Sequence, residues 1–160
     1  MDPWAYATYL NVIVLDFATL GLDAQVERQL LEIDASGWSA MTLQENDTFA
    51  VVVNPAHALV RQRSDLMHEL SHILLRHVPA RVEVAPSKLL LLSDYSDEQE
   101  QEADWQGAAL LLPRDGLVRL RGRNQSTAEV AEHFGVSISL CEWRLRMTGV
   151  DVQIRRSAVG

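Results

Sequence analysis

The sequence has a single cysteine, Cys141, so no disulfide can form within the chain. A reducing, cytoplasmic setting is the expectation that follows. No apolar run approaches the ~18 residues of a membrane span, so no membrane partner is expected. There is no lysine or arginine before Arg28, and a secretory signal needs a positive start. Internal repeats and low-complexity tracts are missing as well. Cations are scarce in the first part of the chain. Residues 1–113 hold 6 Lys/Arg against 17 Asp/Glu, a net of −11, while residues 114–160 hold 8 Arg against 5 acids, a net of +3. The acidic body is expected to repel nucleic acid, whereas the basic tail leaves such contact open.

What remains is an ordinary globular composition, with 160 residues, 48% hydrophobic and 22% charged. That length suits one domain, or one plus a small appendage, and can bury a real core. The charge changes sign near Pro113. The expected division is therefore a core over 1–113 and a helical region over 114–160 packed on it.

Asp2 and Pro3 predict a short helix over "DPWAYATYL", ended by Asn11 in the left-handed region. "VIVLDF" reads as a strand. "DAQVERQLLEI" reads as a helix capped by Asp23, with Val26, Leu30 and Ile33 on its packed stripe. "WSAMTL" and "TFAVVVN" read as strands joined by "QEND", and Val51, Val52 and Val53 suggest a strand covered on both faces. A helix is expected over 65–77, with Pro79 beyond its end. "APSKLLLLSDYS" is ambiguous. Asp97 is expected to cap a helix through "EQEADWQGAALLL", stopped by Pro113. Two or three short helices follow. The fold class is α+β.

Within "DLMHELSHILLRH", His68 and His72 stand four residues apart with Glu69 between them. On a helix these histidines share a face, about 6 Å apart, so two imidazoles can converge on one metal. Neutral imidazole is a standard zinc ligand, and the adjacent Glu69 could act as a general base. Five histidines in 160 residues make such a pattern a rare accident, with about 0.01 expected by chance. The competing reading is a half-buried helix whose histidines are satisfied by neighbours. Leu66, Leu70, Ile73 and Leu74 show that the helix packs on a core in either case.

A catalytic zinc needs a third protein ligand and an open position. In "SDEQEQEADWQGAALLLP", Glu100 and Asp104 share a helical face, and Ala103 and Gly107 are small enough to let that face approach the histidine helix. Glu100 is the candidate third ligand, with Glu102 as its rival. Asp104 could accept a hydrogen bond from the outer nitrogen of a ligand histidine. The acidic run could equally be a solvated helix start favoured by the helix dipole, and Glu98 is read that way.

"RQRSDLMHELSH" followed by "EQEADWQGAALLLP" resembles the ImmA/IrrE zinc metallopeptidases over about residues 1–150. Their first motif resembles Arg-Gln-Arg-Phe-Thr-x-Ala-His-Glu-x-x-His. Arg61, Gln62 and Arg63 match it, while Ser64, Asp65 and Met67 replace Phe, Thr and Ala. Glu100, Ala103, Asp104, Leu111 and Pro113 match the second motif, and Gln106 stands for its usual aromatic. The family pattern places the ligand glutamate four before the Asn/Asp, which favours Glu100 over Glu102. The resemblance implies a small gluzincin-type core, with a short sheet, an active-site helix and a glutamate helix, followed by helix-turn-helix-like helices. It implies one zinc per chain on His68, His72 and Glu100, with Glu69 as catalytic base. The implied partner is a protein substrate, a helix-turn-helix repressor whose cleavage relieves repression. In zincins a strand such as "TFAVVVNP" offers its edge to extended substrate, and Asn54 could contact that substrate. A strand-ending turn before Pro55 is the simpler account of Asn54.

The tail holds "TAEVAEHF", capped by Ser126 or Thr127 with Glu129 behind, then Gly135 at a turn. A second helix capped by Ser137 carries Leu140, Trp143, Leu145 and Met147. Arg144 and Arg146 are available for phosphates in a DNA-binding version. The segment is poor in base-reading side chains, so direct DNA binding is not expected; packing or docking of a protein is. His57 could be a proton donor near the cleft or simply a loop residue. His77 reads as a cation at a helix C-terminus. Tyr95 could stabilise an oxyanion, or be a core-edge aromatic. Cys141 reads as a small buried hydrophobe. The alternative to a zinc endopeptidase is a regulatory or DNA-binding module whose zinc is structural or vestigial.

Overall fold

The computed structural model describes residues 1–84 and 90–157. Eight α-helices and one five-stranded sheet are found among them. In chain order these are α1 (Pro3–Tyr9), β1 (Ile13–Leu15), a 3-10 turn (Phe17–Leu20), α2 (Ala24–Arg28), a π-helical turn (Gln29–Ile33), β2 (Ala40–Glu45), β3 (Thr48–Val53), α3 (Leu59–Leu75), β4 (Arg81–Val84), β5 (Leu90–Ser93), α4 (Asp97–Leu111), α5 (Arg114–Arg121), α6 (Thr127–Phe134), α7 (Ile138–Thr148) and α8 (Val150–Ser157). The sheet order is β1-β3-β2-β5-β4, so β3 and β2 are interior strands. β1 runs parallel to β3, with Val14 opposite Val51, and the other pairs are antiparallel. A two-residue turn joins β2 to β3, with Asn46 at φ 52°, a left-handed conformation that asparagine tolerates.

Alternation along β3 builds two cores. Val51 and Val53 meet Leu66 and Leu70 of α3, together with Ala7 and Val12. Val52 faces the other way, onto Leu43 and Phe17, whose ring lies 5.6 Å from that of Trp38. All three valines are buried, as a strand covered on both faces requires. A third cluster joins Met67 of α3 to Leu111 at the end of α4, to Leu112 just beyond it and to Leu117, Val130, Cys141, Leu145 and Val150 of the C-terminal helices. The C-terminal region thus shares a core with the helix that carries His68 and His72.

Asp2 caps α1 by accepting from the Ala5 amide, and Asn11 has φ 57°. Other boundaries differ from the expectations. α3 begins at Leu59, six residues before Asp65, because nothing between Pro55 and Asp65 breaks a helix once the Asn54 turn is closed. The cap of α4 is Ser96 rather than Asp97. Its hydroxyl accepts from the Gln99 amide, and the Gln99 side chain accepts back from the Ser96 amide. Asp23 caps α2, but the helix widens at Gln29, where the Asp34 amide donates to the Gln29 carbonyl. The wider turn rotates the packed stripe. Leu30 and Leu31 face the core, while Val26 and Ile33 are exposed. Residues 85–89 of "APSKLLLLSDYS" lie outside the described residues, and Leu90–Ser93 is the strand β5.

The tail forms four helices rather than two or three. Ser126 and Glu129 make a capping box, Gly135 takes φ 64°, and Ser137 caps α7. Arg144 is not available for phosphates. It is 7% exposed, its Nε donates to the Leu112 carbonyl, and its guanidinium lies 5.7 Å from the Trp105 ring centre. Cys141 is wholly buried, and burial pushes its thiol pKa up. Met147 is exposed rather than packed.

Asn54 is 0% exposed. Its amide nitrogen donates to the Ala35 and Trp38 carbonyls, and its Oδ1 accepts from the Ala56 amide. The side chain thereby closes the loop that feeds α3, and the substrate contact considered for it finds no free polar atom. Asn54→Ala leaves those backbone groups unpaired in the interior. The expected loss is about 3 kcal/mol, checked by urea unfolding of the metal-free chain.

Candidate metal centre

α3 and α4 touch almost backbone to backbone. A Cβ added at Gly107 would lie 3.4 Å from Ser71 Oγ and 3.5 Å from the Met67 carbonyl. Ala103 beside it is fully buried. That proximity brings Glu100, on the first turn of α4, to the histidine face of α3.

His68 Nε2 and His72 Nε2 are 3.0 Å apart. Glu100 Oε2 lies 3.1 Å from the former and 3.7 Å from the latter. A tetrahedral zinc with ligand bonds near 2.1 Å separates its donor atoms by about 3.4 Å, so the three spacings bracket the required one. The donor set fits as well. His68 Nδ1 lies 2.9 Å from Asp104 Oδ1, and a carboxylate only accepts, so the proton sits on that nitrogen and Nε2 presents a lone pair. His72 is 2% exposed. Burial first, then repulsion from His68 and His77, pulls its pKa down to about 3. It is therefore a neutral imidazole, the form that binds metal.

The His77 ring makes side-chain contacts through both of its nitrogens. Its Nδ1 lies 2.9 Å from His72 Nδ1, and its Nε2 lies 3.1 Å from Glu102 Oε2. Glu102, the rival third ligand, is thus turned to His77 and away from the triad. The sequence reasoning missed this contact. The available signal was that a left-handed residue closing the helix, here Arg76 at φ 58°, turns the next side chain back toward the helix.

Glu69 points to β2, where it accepts a hydrogen bond from Thr42 Oγ1. Burial raises its carboxyl pKa, and the Thr42 hydroxyl opposes part of that rise. Tyr95 stacks on His72 with ring centres 3.8 Å apart. Burial, then the charges of Glu69 and Glu100, push its phenol up to about 12, so it is a protonated donor at neutral pH. Ser39, Ala40, Asp65, His68, Glu69 and Glu100 line a cavity of about 380 Å³. His57 has both ring nitrogens engaged, Nε2 at 3.0 Å from the Ala35 carbonyl and Nδ1 at 3.4 Å from Asp65 Oδ2. It pins the loop to α3 at the rim of the cavity.

The strand edge expected of "TFAVVVNP" is not free, because β3 is paired on one side with β1 and on the other with β2. β2 borders the cavity through Ala40, and it is paired with β5 only from Thr42 to Gln44.

Two histidines and a glutamate converging beside a half-buried glutamate define a metal-site class found in hydrolases. The model of a peptidase family, described as the IrrE N-terminal-like domain, matches residues 27–146. The chain belongs to this family. No curated protein and no solved structure gives a significant match.

Glu69 holds its proton more tightly in the folded chain than in the unfolded one. Its contribution to stability is therefore full below the ordinary glutamate range and is lost as pH rises through its raised folded value. Metal-free Glu69→Gln is expected to melt higher than the metal-free parent at pH 7. The gap should narrow as pH falls toward 4, as scanning calorimetry of both proteins across that range would show.

Proposed function

We propose that the chain is a cytoplasmic zinc-dependent endopeptidase that cleaves a protein, a helix-turn-helix transcriptional repressor, and so relieves repression. The observation that carries this reading is the convergence of His68, His72 and Glu100 beside a desolvated Glu69, in a chain of a peptidase family. His68, His72 and Glu100 are the ligands of one zinc per chain. Zinc, once bound, supplies Lewis acidity that polarises a carbonyl and acidifies water. Glu69 takes a proton from the attacking water and returns it to the leaving amine. Its raised proton affinity suits both steps. Tyr95, protonated at neutral pH, is the candidate donor to the developing oxyanion. Asp104 fixes the tautomer of His68. In this reading residues 1–113 are a zincin-like core, and residues 114–160 are a helix-turn-helix-like region packed on it that takes part in partner recognition. The regulatory or DNA-binding alternative loses support, since one of the two arginines it invoked is buried.

Elemental analysis is expected to find about one zinc per chain in the parent and in Glu69→Gln, and little in Glu100→Ala. No zinc in the parent after equilibration at neutral pH would overturn the zinc reading. Co-expression with a helix-turn-helix repressor from a neighbouring gene is expected to yield a cleaved repressor. Glu69→Gln should lower that cleavage about 10³-fold, and cleavage at the parental rate in this variant would sink the mechanism.

A further inference from the structure

We propose that Glu102 and His77 form a hydrogen-bonded chain that positions His72 for the metal, with His77 and Glu102 acting as positioning residues. The inference rests on the zinc reading above and concerns residues that reading leaves unused. His72 has two ring nitrogens. Nε2 faces His68 and Glu100, at 3.0 and 3.7 Å. Nδ1 faces His77 Nδ1 at 2.9 Å, and His77 Nε2 faces Glu102 Oε2 at 3.1 Å.

With both imidazoles neutral, the protons of this chain have one arrangement. A carboxylate only accepts, so His77 Nε2 carries a hydrogen and donates it to Glu102. His77 Nδ1 then holds a lone pair and accepts from His72 Nδ1–H. His72 is left with its Nε2 lone pair directed at His68 and Glu100. The His77 side chain is 5% exposed and His72 itself 2% exposed, so bulk water has little access to this contact. The chain is also held from outside it. The His77 amide donates to the His72 carbonyl at 3.0 Å, and Tyr95 stacks on the His72 ring. The two ligand histidines are thus oriented by different means. His68 meets the carboxylate of Asp104 directly, whereas His72 reaches its carboxylate through a second imidazole. Partners of this kind fix the tautomer and the ring angle of a ligand histidine, and their loss typically weakens metal binding.

The test is zinc affinity of the full chain, measured by competition with a chelator of known affinity. His77→Phe keeps a ring but removes the acceptor, and its Kd for zinc is expected to rise about ten- to a hundredfold. His77→Gln restores an acceptor oxygen and should recover most of that loss, which mere filling of space does not predict. Glu102 is 57% exposed on α4, where alanine is a favourable helix residue. Glu102→Ala therefore folds, and its Kd is expected to rise several-fold, so it decides the question if His77→Phe does not fold. Parental affinity in both His77→Phe and Glu102→Ala would overturn the inference. So would a Gln variant as weak as Phe beside an unaffected Glu102→Ala, since His77 would then only fill space. If the parent binds no zinc, the functional reading falls and takes this inference with it. If the parent binds zinc and the variants match it, this inference alone falls.

Discussion

The close approach of α3 and α4 is the constraint on which the rest of the site depends. Neither helix holds a complete donor set, since His68 and His72 come from one and Glu100 from the other. Their donor atoms lie 3.0 to 3.7 Å from one another only because Ala103 and Gly107 place almost nothing between the two backbones. At Gly107 a methyl group would meet Ser71 Oγ at 3.4 Å and the Met67 carbonyl at 3.5 Å, so even alanine would use all the available space. A larger residue would separate the helices and pull Glu100 from the histidines. Interiors are packed densely enough that such a shift is not absorbed locally. Met67 also belongs to the core shared with the C-terminal helices, so the spacing is held from both sides.

The readable part of this architecture consisted of contacts governed by regular periodicity. His68, Glu69 and His72 are one helical turn of information. Glu100, Ala103, Asp104 and Gly107 are another, and each could be assigned to a face without knowing anything distant. The strands β2 and β3 were readable for the same reason, as was the burial of Val51, Val52 and Val53. What escaped were features set by departures from periodicity. His77 lies five residues after His72, beyond the helix, and meets it only because Arg76 adopts a left-handed conformation. The π-helical turn at Gln29 moved the packed stripe off Val26 and Ile33. Arg144 looked like a free cation because the residue that covers it, Trp105, is nearly forty positions away.

The site also separates two kinds of carboxylate by environment. Asp104 and Glu102 remain largely exposed, each with one oxygen against a histidine. Glu69 is desolvated and holds its proton tightly. The two facing helices thus supply exposed acceptors for imidazole and one carboxyl that burial disfavours as an ion. Acid–base chemistry near neutral pH calls for the second kind, and the orientation of imidazoles calls for the first.

Among the described residues, the pairing of β5 with β2 leaves only a short stretch of β2 unpaired beside the cavity. Beyond Thr42 only Ala40 and Met41 of β2 lack a β5 partner, room for one or two backbone hydrogen bonds at about 1 kcal/mol each. Micromolar recognition needs about 8 kcal/mol. A polypeptide drawn into this cleft would be gripped weakly at the point of attack. In the proposed function, discrimination among proteins then falls to surfaces remote from the cavity, and a short peptide copied from around a cut site would be a poor surrogate for the intact protein.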